Sequence, residues 1–312
     1  MQSRVLACLS AVAIGATLLL APSAAAAPAA THGRGCQLPA PQQPDTSQPH
    51  HLDSGGLDRT YQLHLPAGYE SEEDWPVVLA YHGRGNTGAG TEEFSKLSTL
   101  PAVVVYPNGV LGDEDKQAWQ GAPYSAPGVD DVAFTNDLID ELAATLCVDE
   151  RRVYATGKSN GAGFVGILGC VLADRIAAIA PVAGAFYPNG IDCRPSRPVP
   201  VLDFHGTGDV TIPYAGDTDR GLPPVQDWVR GWGQRDRCLA QLPNQVIQPD
   251  ITVSRWIGCA GGAVVEHVAV TDGGHTWPGA DSYSGGGYVT QTIEAHEVFW
   301  AFVRHYRVWR ER

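Results

Sequence analysis

The sequence predicts an α/β fold in which a mostly parallel central sheet carries helices on both faces. Short apolar runs typical of buried strands recur along the chain, and segments with helical spacing separate several of them. Phe134, Leu138, Leu142 and Leu146 are one such segment. Strands that alternate with helices favour βα units in a parallel sheet. The strand candidates are residues 60–65, 77–81, 102–106, 152–156, 177–183, 199–204 and 264–270.

The first residues of the 312-residue chain have the features of a signal peptide. Arg4 precedes an apolar run over residues 5–20, and the alanines at 24–27 offer a cleavage site of small residues. We therefore expect residues 1–27 to be removed on export, so that the mature protein is secreted and extracellular.

The rest of the chain is expected to form one domain. Residues 28–56 are rich in Pro, Gln, Ala and Gly, which predicts an extended, loosely tied lead-in. Residues 57–312 can bury one large core, and they contain no apolar run long enough to cross a bilayer. We expect a single α/β domain that is monomeric and does not enter a membrane.

Six cysteines remain once Cys8 is removed with the signal peptide, and an even number in an exported chain predicts three disulfides. The count leaves the connectivity open. A helix that descends as far as the preceding strand climbs would bring Cys170 back to Cys147. Cys238 and Cys259 flank a short excursion and are expected to close it, which leaves Cys36 to pair with Cys193 by elimination. Metal binding is the rival interpretation, but no C-x-x-C motif or histidine pair at helical spacing supports it.

The charge of the chain limits its partners. The formal net charge is −13, so nucleic acid and acidic membrane surfaces would be repelled. We expect no nucleic acid partner, no metal and no cofactor. The charge also favours solubility, and it carries no information about a substrate.

The segment Gly157-Lys158-Ser159-Asn160-Gly161 is the strongest motif in the chain. A strand-like run ends just before it, and a helix-like run from Ala162 to Leu172 follows. This is the setting of a nucleophile elbow, in which a sharp turn exposes the serine hydroxyl above the sheet. Glycines on both sides of the serine let the strand and the helix approach closely. The pattern therefore predicts that Ser159 is a nucleophile.

Two later motifs supply the partners that such a serine needs. Asp209 follows the strand candidate at 199–204, and His275 follows the one at 264–270. The order Ser, Asp, His is that of the α/β-hydrolase fold. Each residue follows a strand, so all three are expected at the carboxyl edge of one sheet. The sequence thus predicts a catalytic triad of Ser159, Asp209 and His275.

The chemistry of a triad requires donors for a developing oxyanion. His275 would take the proton of Ser159, and Asp209 would orient the imidazole and stabilise its charged form. The backbone N–H of Asn160 is one expected oxyanion donor, and Arg84, after the strand at 77–81, is the other. Gly85 remains an alternative to Arg84.

Two long loops are expected to contact a substrate. Residues 107–130 and 211–224 are too long for tight turns and follow strand candidates. Trp119, Tyr124 and Trp277 are the aromatic residues nearest to this edge in sequence, and we expect them to bind substrate. Support of the loop is the alternative for Trp119, whereas packing against helices is the expected role of Trp228, Trp232 and Trp300.

Five blocks of the sequence, taken together, resemble secreted feruloyl esterases of carbohydrate esterase family one. The blocks are residues 118–124, 129–134, 152–161, 180–187 and 274–278, and the resemblance extends from about residue 34 to residue 305. It implies a serine esterase that cleaves the ester between a hydroxycinnamate and arabinose in plant xylan. One departure is Ala162-Gly163, where the family pattern would have a run of three glycines.

Other functions stay open beside this one. Poly(3-hydroxybutyrate) depolymerase-like and acetyl xylan esterase-like enzymes share the elbow and the segment around His275, and loop shape decides between these substrates. A noncatalytic carbohydrate-binding protein on a hydrolase scaffold is a different class of function. Loss of a triad residue would indicate that class, and all three residues are present.

Overall fold

The computed structural model describes residues 34–188 and 190–309. The predicted signal peptide, residues 1–27, lies outside these ranges. Within them, the strands are β1 (Thr46–Ser54), β2 (Leu57–Leu65), β3 (Trp75–Tyr81), β4 (Val103–Pro107), β5 (Val110–Leu111), β6 (Gln117–Ala118), β7 (Val148–Lys158), β8 (Ala178–Val182), β9 (Val201–Gly206), β10 (Ala240–Gln241), β11 (Gln245–Gln248), β12 (Ile251–Ile257) and β13 (Val265–Val270). The α-helices are α1 (Gly88–Ser95), α2 (Asp131–Thr145), α3 (Asn160–Val171), α4 (Val225–Arg235) and α5 (Ala295–Val303).

The strands form an 11-stranded sheet whose centre is parallel, which confirms the predicted fold class. The order across the sheet is β1-β2-β4-β3-β7-β8-β9-β13-β12-β10, and β11 also pairs with β12. The neighbours from β4 through β13 run parallel, whereas the pairs at both ends of the sheet are antiparallel. Every strand candidate from the sequence corresponds to one of these strands.

A core covers each face of the sheet. Along β3, Val77 and Leu79 face the core that α2, α3 and α4 complete, whereas Val78 and Ala80 face the core under α1 and α5. This alternation follows from the two-residue period of a strand. Because both faces of the central strands are buried, these strands are apolar throughout, as is typical of parallel sheets.

The lead-in predicted for residues 28–56 is not loose where the structure describes its second half. β1 pairs with β2 along its whole length, from Thr46 opposite Leu65 to Ser54 opposite Leu57. Gly55 and Gly56 join the two strands with φ angles of 59° and 77°, which suits the tight turn of a two-residue hairpin. The sheet therefore begins before residue 57, and the Gly-Gly pair was the sequence signal for it.

Two of the three predicted disulfides are wrong. Cys238 does bond to Cys259, but Cys36 bonds to Cys147 and Cys170 bonds to Cys193. β7 is 11 residues long and rises about 3.3 Å per residue, whereas a helix returns only about 1.5 Å per residue. α3 therefore does not bring Cys170 back to the start of β7.

The N-terminal segment reaches Cys147 instead. The Gly35 amide donates to the Ala143 carbonyl across 2.9 Å at the end of α2. A Cβ on Gly35 would collide with the Leu146 backbone, so glycine permits the close approach that joins the cysteines. In the described part of the chain, no helix is long and apolar enough to cross a membrane.

Candidate active site

The predicted elbow is present at the end of β7. Ser159 has φ 57° and ψ −118° between the last residue of β7 and the first residue of α3. A Cβ on Gly157 would lie 2.7 Å from the Tyr81 carbonyl oxygen, and one on Gly161 would collide with the same atom. The two glycines thus allow β7 and α3 to pack closely against the end of β3, and the sharp turn presents the serine side chain.

Asp209 and His275 meet above the carboxyl ends of β9 and β13. The His275 Nδ1 atom lies 2.7 Å from Asp209 Oδ2, in a buried hydrogen bond. The other carboxylate oxygen, Oδ1, accepts the backbone amides of Thr211 and Ile212, each at 2.8 Å. Because these bonds fix the carboxylate, the carboxylate in turn fixes the plane and tautomer of the imidazole.

The alternative acids nearby have other partners. Asp203 is fully buried and its Oδ2 lies 2.7 Å from His267 Nδ1, while the His267 Nε2 atom lies 2.7 Å from the Tyr214 hydroxyl. Asp217 accepts the Arg220 Nε at 2.6 Å. Among the described residues, Asp209 is the carboxylate that hydrogen-bonds to His275.

Ser159 and His275 line one cavity of about 630 Å³. The cavity holds both the predicted nucleophile and the predicted base, so an ester could reach the two groups together. Further side chains in its wall were not singled out from the sequence. They include Phe94, Lys158, Tyr187, Arg220 and Tyr283.

The environment of Asp209 and His275 lowers the pKa of both groups. Burial by itself would raise the pKa of Asp209, but hydrogen bonds from His205 and His275 and the amide of Ile212 hold it well below its usual range. Burial lowers the pKa of His275, against the hydrogen bond to Asp209, and the charge of Lys158 lowers it further. Asp209 is therefore ionised and His275 is a neutral base near neutral pH.

The loop after β3 lies beside the nucleophile. A Cβ on Gly83 would lie 3.3 Å from the Ser159 Cβ. The Gly85 amide donates to the Gln117 carbonyl at 2.8 Å, so Gly85 is occupied. In the described ranges, the amides of Arg84 and Asn160 have no recorded acceptor. Of the two candidates for the second oxyanion donor, this arrangement favours Arg84.

His82 shapes this loop and stays neutral. Its Nε2 atom accepts the Gly109 amide at 2.9 Å and its Nδ1 atom lies 2.8 Å from the Gly83 carbonyl. Burial lowers the pKa of His82 to about 4. These contacts fit a structural role without proton transfer.

The expectation that Trp119 and Trp277 contact substrate is wrong, because neither side chain reaches the cavity. Trp119 is 0% exposed and stacks on Phe164 at 5.4 Å. Its Nε1 donates to the His82 carbonyl at 3.0 Å. Trp277 is 1% exposed and packs against Phe94 at 5.8 Å. Both tryptophans belong to the hydrophobic core.

Tyr124 does line the cavity, as the sequence suggests. Its ring meets Tyr187 edge-on at 5.8 Å, and the Arg84 guanidinium lies 4.4 Å from its centroid. Tyr187 follows β8, and its place after a parallel strand was the signal that could have identified it.

One group of possible metal ligands occurs in the described residues, formed by Cys36, Asp74 and Cys147. The two sulfurs of this group are bonded to each other, so they are not available as thiolate ligands.

Comparison with known proteins gives relatives along most of the chain, although no family model matches it. Feruloyl esterase B of Piromyces equi is 31% identical over 225 residues, which cover 68% of this chain and 41% of that protein. The chain thus spans less than half of the length of that relative.

NocK of Nocardia uniformis subsp. tsuyamanensis, whose name assigns it provisionally to the esterases, is 30% identical and is aligned over 72% of each chain. Among solved structures, an acetyl xylan esterase from Aspergillus awamori superposes with a TM-score of 0.54 at 16% identity, over 73% of this chain and 94% of that one. The structural match supports the fold alone. Together with the relatives in sequence, it identifies the chain as a member of the feruloyl esterase-like α/β hydrolases.

Proposed function

We propose that this chain is a secreted serine esterase that hydrolyses ferulate and related hydroxycinnamate esters of plant cell-wall arabinoxylan. The observation that carries the proposal is the 2.7 Å hydrogen bond between Asp209 and His275 in a site whose cavity also contains Ser159. A nucleophile on an elbow, a base and an acid that orients the base are the parts of an acyl-transfer site.

In the first half of the reaction, Ser159 Oγ attacks the ester carbonyl carbon while His275 takes the hydroxyl proton. The carbonyl oxygen becomes an oxyanion, which the amides of Asn160 and Arg84 would stabilise. The bond to the alcohol then breaks, and the alcohol oxygen leaves with the proton from His275. The acyl group remains on Ser159.

In the second half, His275 takes a proton from water, and the resulting nucleophile attacks the acyl carbon. The bond to Ser159 Oγ breaks, the proton returns to that oxygen, and the carboxylic acid is released. Asp209 stays ionised throughout and stabilises the imidazolium that forms in each half. No cofactor is needed for these steps.

The choice of substrate rests on the aromatic wall of the cavity and on the relatives. Tyr124 and Tyr187 form one edge-on pair, and Phe94 and Tyr283 also line the cavity. Aromatic faces favour a planar methoxyphenol over an acetyl group, by about 0.5–1.5 kcal/mol for each good ring contact. The relative in Piromyces equi is named for feruloyl ester hydrolysis.

Export from the cell is part of the proposal. The disulfides Cys36–Cys147, Cys170–Cys193 and Cys238–Cys259 are stable in oxidising compartments and rare in the cytosol. An extracellular enzyme would meet its polysaccharide substrate directly, and we propose that it acts as a monomer.

A panel of esters tests the proposal. Steady-state kcat/KM would be measured on methyl ferulate, methyl sinapate, acetylated xylan and a hydroxybutyrate oligomer, with Ser159→Ala as the inactive control. We expect the highest values on the two hydroxycinnamates. Activity on acetylated xylan alone would assign the chain to the acetyl xylan esterases. Activity on the hydroxybutyrate oligomer without turnover of methyl ferulate would assign the chain to the polyester depolymerases. A folded protein that is inactive on all four esters would contradict the proposed esterase function.

A further inference from the structure

Lys158 is a buried cation that the proposed reaction does not use. It is the last residue of β7, directly before Ser159, and 6% of its surface is exposed. Its side chain lines the same cavity as Ser159 and His275. Among the described residues, no hydrogen bond or ion pair within 4 Å is recorded for its ammonium group. An ammonium group is costly to desolvate even in the wall of a cavity, so its place beside Ser159 points to function.

Gly285, in the loop at residues 283–287, lies against this ammonium group. A Cβ on Gly285 would lie 3.0 Å from Lys158 Nζ, and it would also collide with the His275 carbonyl oxygen. The Gly285 φ of 152° is in the range that favours glycine. The backbone of His275 and the Lys158 amine are thus neighbours of the same residue, Gly285.

The triad acid and base are both within electrostatic reach of this charge. Burial lowers the pKa of Lys158 to about 8, although the Asp209 carboxylate opposes that change. Lys158 is therefore charged in neutral and mildly acidic solution. Burial also lowers the pKa of His275, the Asp209 hydrogen bond raises it, and the charge of Lys158 lowers it again.

The other charged groups around His275 are differently placed. His205, on β9, is 3.4 Å from Asp209 Oδ2 and also opposes the charging of His275. Arg84 pairs with Glu114 at 3.6 Å and Arg220 pairs with Asp217 at 2.6 Å. These pairs offset the two arginine charges in the cavity wall. An exposed carboxylate from α1, Glu93, also lines the cavity.

We propose that Lys158 is a positioning residue for charge: its buried ammonium offsets the Asp209 carboxylate at His275, so that the imidazole remains a neutral base in mildly acidic solution. The proposal rests on the esterase reaction proposed above. Asp209 alone would favour a protonated imidazole, which cannot accept the serine proton. Lys158 would therefore extend activity to lower pH without touching the reacting atoms.

The test compares Lys158→Met with Lys158→Arg. Met keeps the length and the apolar stem, and an uncharged side chain removes the cost of burying the ammonium. Arg keeps the charge and is the matched control. For each variant, kcat/KM on p-nitrophenyl acetate would be measured against pH.

Without the positive charge, protonation of His275 becomes easier, so the acid limb of the Lys158→Met profile should move to higher pH. At the pH where the wild type has half of its plateau activity, Lys158→Met should be severalfold slower. The Lys158→Arg limb should stay with the wild type.

Two outcomes would overturn the proposal. The first is that the acid limbs of wild type and Lys158→Met coincide. The second is that the acid limb of Lys158→Arg shifts as far as that of Lys158→Met, which would indicate a packing effect instead of a charge effect. If Lys158→Met does not fold, Lys158→Gln replaces it as the uncharged variant.

A second measurement needs no turnover. The imidazole of His275 would be titrated by NMR in the Ser159→Ala protein, with and without Lys158→Met. Removal of the charge should raise the pH at which His275 protonates, and an unchanged titration would contradict the proposal. If the wild type hydrolyses no ester, the esterase proposal fails, while this titration still decides the role of Lys158.

Discussion

Ser159 holds a backbone conformation that serine rarely adopts. A φ of 57° with a ψ of −118° costs on the order of 1–3 kcal/mol and persists only when the surroundings enforce it. Three backbone hydrogen bonds do so here: the Ser159 amide donates to Val182 at 3.0 Å, and its carbonyl accepts from Gly163 and Ala185 at 3.0 Å each. The turn is fixed by backbone contacts and does not depend on the serine hydroxyl.

The first prediction concerns the triad. Ser159→Ala should abolish ester hydrolysis and leave the fold intact, because the backbone bonds that hold the turn remain. Asp209→Asn should lower kcat by about 10⁴, since the imidazole then loses its orienting acceptor. Circular dichroism and steady-state kinetics check both. The matched control is Asp219→Asn, an exposed residue on the same loop, which should behave as wild type. An active Asp209→Asn protein would contradict the assignment of the acid.

The second prediction separates the two aromatic roles. Trp119 lies in the core, so Trp119→Ala should lower the free energy of unfolding by about 3–5 kcal/mol and leave the ratio of ferulate to acetate kcat/KM unchanged. Tyr124 lines the cavity, so Tyr124→Ala should lower ferulate turnover more than acetate turnover. Denaturant titration and kinetics on methyl ferulate and an acetyl ester provide the measurements. A change of selectivity in Trp119→Ala, without one in Tyr124→Ala, would reverse these roles.

Secondary-structure elements show which parts of the fold the sequence could predict. The central strands were predicted because they are apolar on both faces. β1 and β12 were not predicted: β1 lies at the sheet edge, is mostly polar and contains Pro49, and polar residues at 252, 254 and 255 interrupt the apolar run of β12. The placement of Ser159, Asp209 and His275 at one edge of the sheet was predictable because each residue follows a strand in a short local motif. The burial of Trp119 was not, since it depends on Phe164 and Tyr81, which come from distant elements.

Disulfide pairing depended on element length. The apolar pattern did not indicate that β7 extends back to Val148, and that extension separates Cys170 from Cys147. A local apolar pattern shows where a strand has its buried centre, whereas its ends depend on pairing with neighbouring strands.

The third prediction follows from the observed connectivity. Cys36 and Cys147 are 111 residues apart, whereas Cys170 and Cys193 are 23 residues apart. In the chain-entropy view, a crosslink that closes the longer loop stabilises more. Replacing both Cys36 and Cys147 by serine should lower the free energy of unfolding by about 4–5 kcal/mol, against about 3 kcal/mol for Cys170 and Cys193. Denaturant titration of the two double variants measures this order. Peptide mapping of the unreduced protein that linked Cys36 to Cys193 would contradict the connectivity.

At the scale of the whole molecule, three buried ionisable groups outside the Asp209–His275 pair have pKa values shifted toward their neutral forms. Burial lowers the pKa of His82 to about 4 and that of Lys158 to about 8. It raises the pKa of Asp236 to about 7. All three shifts favour the neutral form, as expected when an apolar core excludes water. We therefore expect the pH dependence of the free energy of unfolding to arise mainly from such interior groups. The formal net charge of the chain, −13, should have the smaller effect.

The last prediction concerns Asp236, which directly follows α4 and is fully buried. Its Oδ1 accepts the Val199 amide at 3.0 Å, and no partner is recorded for its Oδ2 among the described residues. Burial raises the pKa of Asp236 from 3.8 to about 7, against the Val199 hydrogen bond and the charges of Arg197 and Arg235. Between these two pH values the folded protein keeps a proton that the unfolded chain has released. The stability that this proton provides is present in full below the unfolded pKa and is lost as the pH rises through the folded pKa.

Asp236→Asn mimics the protonated carboxyl at every pH and should remove this dependence. Relative to the variant, the wild type should lose stability between about pH 5 and pH 8, by an amount on the order of 2–4 kcal/mol. Denaturant titrations at both pH values measure the difference, and the protonation of His82 cancels because it occurs in both proteins. Asp227→Asn, at an exposed position of the same helix, is the control and should follow the wild type. Parallel stability curves for wild type and Asp236→Asn would show that Asp236 is already ionised in the folded protein.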